Sequence, residues 1–125
     1  MNWDRYLLLA EGLAHQGFES ADRSAVSRAY YAAFNISRRW LEANVTPIDN
    51  RGAHRQVWQA FAAADRATPS TREAWFLVGS LGNSLRVLRN QADYDDMVPD
   101  LNGRVPGALR DAERILTLLP ELRMD

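Results

Sequence analysis

Val26-Ser27-Arg28-Ala29-Tyr30-Tyr31-Ala32-Ala33-Phe34 lies in a stretch, residues 21–43, that contains neither proline nor glycine. Val26, Ala29, Tyr30, Ala33, Phe34 and Leu41 recur at three- and four-residue steps, which stacks them on one face of an α-helix. Arg28, Tyr31, Asn35 and Arg38 or Arg39 fall together on a polar side, which suits either water or a phosphate-bearing ligand. The periodicity predicts one long amphipathic helix over about Ala21 to Ala43, with Ser20 able to cap it. A helix with so large an apolar stripe needs other elements to cover it.

Those elements can be read outward from it. Upstream, a helix is expected over about Trp3 to His15, capped by Asn2 and closed by Gly17. Downstream, Asn44 to Arg51 contains Pro47, Asp49 and Asn50 and reads as a loop. A third helix follows over about Ala53 to Asp65, with Val57, Trp58, Ala60 and Phe61 on its buried side. Thr68-Pro69-Ser70 breaks it, and Ser70 with Glu73 forms the spacing of a capping box for a fourth helix. That helix runs to about Asp93 through Trp75, Val78, Leu81, Leu85 and Leu88. Gly79 and Gly82 lie inside it, each costing about 1 kcal/mol against Ala, and mark a close helix approach or a kink. A fifth helix is expected from Pro106 to just before Pro120. No stretch alternates as a strand would. The expected architecture is an all-α, antiparallel helical bundle of about five helices, with residues 1–125 as one domain.

Composition narrows the chemistry. There is no cysteine, so thiol catalysis, disulfides and thiolate-bound zinc are excluded. Two histidines, His15 and His54, are too far apart for a recognisable metal motif, and no cofactor is expected. No basic start with a long apolar run resembles a signal peptide, and no apolar run is long enough for a membrane span, so the cytoplasm is the expected location. The net charge is −1, but it is unevenly spread. Residues 23–89 hold ten Arg against Glu42, Asp49, Asp65 and Glu73, while the segments on either side are acidic. A basic middle is either a phosphate-facing surface or a set of solvated helix faces. All the basic residues are Arg, the side chain that clasps phosphate bidentately.

Two runs carry more. Ser27-Arg28-Ala29-Tyr30-Tyr31-Ala32-Ala33-Phe34 is one; Leu85-Arg86-Val87-Leu88-Arg89-Asn90-Gln91-Ala92-Asp93-Tyr94-Asp95 is the other. Together with Gly52-Ala53-His54 and Phe61, they resemble the HEPN family (higher eukaryotes and prokaryotes nucleotide-binding domains) over roughly residues 20–118. The resemblance implies a helical bundle that forms a homodimer. In active members an Arg, its polar neighbour and a downstream His meet across the dimer and cleave RNA without metal. Many bacterial members are toxins paired with a small nucleotidyltransferase antitoxin. Carried over residue by residue, the motif Arg is Arg89 and its polar neighbour is Asn90, while Tyr94 fills the position of the His.

Cleavage by this route needs the 2′-OH activated, the leaving oxygen protonated and the charge on phosphorus neutralised. Arg89 suits the last task, and Asn90 can orient phosphate or ribose. Tyr94 can donate a proton but, with an ordinary pKa of about 10, is a poor base. His54 titrates near neutrality and would substitute if the fold brings the third helix to the end of the fourth. Arg28, Arg86 and His54 are the expected RNA contacts. Each residue also has a plainer reading. Arg89 and Asp93, four apart, form an ordinary exposed helix ion pair worth under about 1 kcal/mol. Tyr94 ends a helix, and His54 is a polar first-turn residue. Three functions therefore stand open: a ribonuclease toxin, a non-catalytic module binding RNA, nucleotide or protein, and a structural dimerisation adaptor.

Overall fold

The computed structural model describes residues 2–125, and among them every regular element is helical. Helix α1 spans Asp4–Ala14, α2 Glu19–Asn44, α3 Ala53–Ala63, α4 Arg72–Tyr94 and α5 Leu101–Leu118; a 3₁₀ turn, Leu119–Glu121, follows. The expected all-α bundle of five helices is what forms. No described helix is long and apolar enough to cross a membrane.

The apolar stripe of α2 explains the arrangement. Val26, Ala29, Tyr30, Ala33, Phe34 and Leu41 are all buried, and α2 packs against α1, α4 and α5. Helix α3 covers the flank of α4, carrying Val57, Trp58 and Phe61 into the core. Four indole and phenyl groups meet there: Trp40, Phe61 and Trp75 lie within 5.2–5.8 Å of one another by ring centroid, and Trp58 adjoins Phe61. Edge-on and tilted ring pairs of this kind add specificity to the burial of large apolar surfaces.

Gly79 and Gly82 mark a close approach. A Cβ on Gly79 would lie 2.6 Å from the backbone nitrogen of Ala62 and 2.8 Å from the carbonyl oxygen of Trp58. A Cβ on Gly82 would run into the Trp58 ring, which is buried. The missing side chains let α3 and its indole lie directly on α4.

Several helix ends differ from expectation. Helix α2 starts at Glu19, its first turn closed by Asp22 donating to the carbonyl of Phe18, so Ser20 is inside the helix and not its cap. Helix α4 starts after Thr71 with no side-chain cap, and the capping box from Ser70 does not form. Thr71 is engaged elsewhere: its hydroxyl donates to the carbonyl of Arg123 and accepts from the Arg123 amide. Thr68 donates its own amide to the same carbonyl, and Asp125 donates to that of Arg66. The C-terminal segment thus pairs with residues 66–68, a long-range contact that no local pattern announces. Helix α5 starts at Leu101, a turn and more before Pro106. Leu101, Val105, Ala108, Ala112 and Ile115 continue one buried stripe, while Pro106 faces outward, where water can satisfy the carbonyl that its ring leaves unbonded.

The end of α4 is held by Arg23 of α2. Its guanidinium donates to the carbonyls of Ala92, Asp95 and Asp96 at 2.6–2.9 Å and to Glu19 at 3.0–3.1 Å. A cation on these last carbonyls stabilises a helix C-terminus. It fixes the place of the segment that carries Arg89, Asn90 and Tyr94.

Candidate functional site

The residues singled out from the sequence converge only in part. Tyr30 is the hub. Its ring is fully buried between α2, α3 and α4, yet its hydroxyl is bonded twice. Trp58 Nε1 donates to it at 3.1 Å, and His54 Nδ1 lies 2.7 Å away. The His54 ring stacks on Phe34 with centroids 4.0 Å apart. Nδ1 is therefore engaged by the phenol, and Nε2 is the nitrogen left for a ligand. His54 touches α2, and the Tyr30 ring that it bonds also lies under Arg89, which puts the imidazole within reach of the charges of Arg89 and Arg86 on α4.

Arg89 approaches the same ring from α4. Its Cζ lies 5.0 Å from the centroid of Tyr30 and 5.2 Å from that of Tyr31. A guanidinium over two aromatic faces gains quadrupole attraction where water is scarce. The ion pair with Asp93 forms, with Nη1 at 3.6 Å from Oδ2, and Ser27 donates to the same carboxylate oxygen at 3.4 Å. The sequence reading of this pair as exposed is corrected here: Arg89 is 6% exposed, and its Nε is buried without a partner. Burial follows from Tyr30 and Tyr31, which lie 58 residues or more away in the chain and cover the guanidinium.

The remaining candidates are distributed around this centre. Arg86 is half-buried one turn before Arg89. Asn90 is half-buried, and Tyr94 is 75% exposed at the last residue of α4. Arg28 is half-buried on α2, with no hydrogen bond or ion pair among the described residues. Of the polar side of α2, Tyr31 faces Arg89, whereas Arg38 is tied to the carbonyl of Ile48, to Asn50 and to Glu42. Sequence reasoning missed Tyr30 as a polar centre, taking it for core alone. The Trp58 and His54 partners of its hydroxyl are three-dimensional facts.

The electrostatics follow from the geometry. Burial, and then the nearby charges of Arg89, Arg86 and Arg38, hold His54 below the usual imidazole range. Burial pushes the Tyr30 phenol up, against the opposing pull of Trp58, Arg89 and Arg86. At neutral pH the imidazole is uncharged and the phenol keeps its proton. His54 then binds protons more weakly folded than unfolded, so its contribution to stability is full above the unfolded value of about 6.5 and is lost as pH falls towards the folded one. Chemical denaturation of the wild type is expected to show a stability decline as pH falls through about 6.5 and below that His54→Gln lacks. Parallel curves for the two proteins would show that the imidazole is not held neutral.

Among the described residues, no three His, Cys, Asp or Glu gather as ligands for a metal ion. Compared with known proteins, the chain matches no family model, no curated protein and no solved structure.

Proposed function

We propose that the chain is a HEPN-type protein acting on RNA, a metal-independent endoribonuclease that serves as the toxin of a pair with a nucleotidyltransferase antitoxin. One juxtaposition supports this most: an uncharged imidazole and a guanidinium clamp share the Tyr30 ring. In the tautomer whose Nδ1–H donates to the Tyr30 hydroxyl, His54 Nε2 is bare and takes the proton of a ribose 2′-OH. O2′ then attacks phosphorus. Arg86 and Arg89 neutralise the charge that builds on the phosphoryl oxygens, the largest single contribution in catalysis of this kind. Asn90 orients the ribose, and Tyr94 gives its phenolic proton to the departing 5′ oxygen.

The homodimer belongs to the same proposal. Phe76, Val87 and Tyr94 are exposed at 56%, 50% and 75%, and their spacing of eleven and seven residues keeps them on one face of α4. That face is suited to a second copy, which would bring a second Arg89–Tyr94 segment to the seam.

A second reading is favoured by the burial of Arg89. Packed between two tyrosines and paired with Asp93, it has a structural task without any substrate. In that case the chain is a non-catalytic module that binds RNA, nucleotide or a protein partner, or a dimerisation adaptor. Titration of labelled single-stranded RNA in excess chelator, at low and high salt, separates these. The endoribonuclease is expected to bind with a steep salt dependence, weakened by Arg28→Gln and Arg86→Gln, and to shorten the RNA with time. Binding with the RNA left intact supports the silent module. Absence of binding leaves the adaptor.

A further inference from the structure

The seam of α3 and α4 opens into a groove next to the His54 cluster. Gly79, where α3 lies directly on α4, forms part of its floor, and the groove has a volume of about 380 Å³. That is at the lower end of the range for sites that hold one small organic group. Its polar lining is Arg55, Gln59, Ser80, Asn83 and Arg86, with Trp58 along one wall. No carboxylate lines it, and neither guanidinium has an ion pair among the described residues. Two like charges at one groove repel each other and are relieved by an anion between them.

The neutral groups are equally pointed. Gln59 comes from α3 and Asn83 from α4; both are exposed, and each carries an amide. An amide can pair bidentately with the N7 edge of a purine, and a guanidinium can do the same; a pyrimidine lacks that edge and offers an amide its Watson–Crick edge alone. Bases in single strands are free to offer that edge. Arg86 belongs to both places, because it lines the groove and its charge reaches His54 and Tyr30. A phosphate held by Arg86 would stand between a base in the groove and the 2′-OH facing His54.

We infer that the α3–α4 groove is a purine subsite for single-stranded RNA, in which Arg55 and Arg86 hold phosphate and Gln59 and Asn83 read the base. The inference rests on the RNA-directed function proposed above and adds to it a base preference.

The test uses short homopolymeric oligonucleotides, 2′-O-methylated so that they cannot be cut, and fluorescence anisotropy at low salt. Oligo(A) is expected to bind at least about five-fold more tightly than oligo(U) or oligo(C), the lower limit for one bidentate pair. The double variant Gln59→Ala, Asn83→Ala should lose that preference, binding oligo(A) no more tightly than oligo(U), while its melting temperature stays as in the wild type. Arg55→Gln should weaken all three and lower the salt slope by about one. Equal affinities in the wild type, or a preference that survives the double variant, would overturn the subsite and leave RNA binding standing. No binding of any oligonucleotide would overturn the subsite and the RNA-directed function together.

Discussion

Arg89→Ala is expected to slow RNA cleavage by about 10²- to 10³-fold, the usual consequence of removing one preorganised donor from a developing oxyanion. The same change should cost about 2 kcal/mol of stability. The guanidinium lies over two tyrosine rings, each contact worth about 0.5–2 kcal/mol, and its buried stem fills space between α2 and α4. Cleavage must therefore be measured at a temperature where circular dichroism shows both proteins folded. Arg89→Lys is the useful companion: it keeps a charge and much of the stem but loses the planar fork. Recovery of stability without recovery of rate marks a phosphate clamp. A rate that simply follows the folded fraction, in both variants, marks a structural arginine.

Gly79→Ala and Gly82→Ala should each lower the unfolding free energy by about 3 kcal/mol, read from denaturant midpoints. Alanine improves helix propensity by about 1 kcal/mol, and that gain is outweighed. At Gly79 the added methyl meets the backbone of α3, which can yield only by moving the whole helix. At Gly82 it meets the Trp58 indole, which is locked by its bond to Tyr30. Any shift of Trp58 also releases the hydroxyl that holds His54, so both variants should lose activity beyond their loss of stability. Wild-type midpoints in either variant would mean that α3 does not lie on α4 as described.

The helices were legible because their cores are periodic. Val26 to Leu41 on α2 and Trp75 to Leu88 on α4 state their buried faces in the sequence itself, and the two glycines pointed to a close approach or a kink, of which the close approach is found. Helix starts were less legible, since a capping residue is chosen by what else is near. Thr71, bonded to the C-terminal segment, takes the N-cap position, so the Ser70–Glu73 spacing is one residue out of register with the helix start. Pro106 suggests a beginning because proline favours first turns, yet the stripe from Leu101 onward outweighs one missing amide. Of the candidate site, the residue types were legible and their distances were not. The sequence posed the question of whether His54 reaches the end of α4, and Tyr30 answers it by bonding His54 while stacking under Arg89. Nothing local could reveal that Arg89 is buried, because the rings that cover it belong to α2.

The most direct measurement is to incubate single-stranded RNA with the purified protein in excess chelator and identify the new ends. Attack by the 2′ oxygen predicts products with a 5′-hydroxyl on one side and a 2′,3′-cyclic phosphate, or its hydrolysed form, on the other. The yield should be unchanged by chelator and lost in His54→Gln. RNA that remains whole under these conditions, or cleavage that His54→Gln retains in full, would contradict a metal-independent site built on His54 and Arg89.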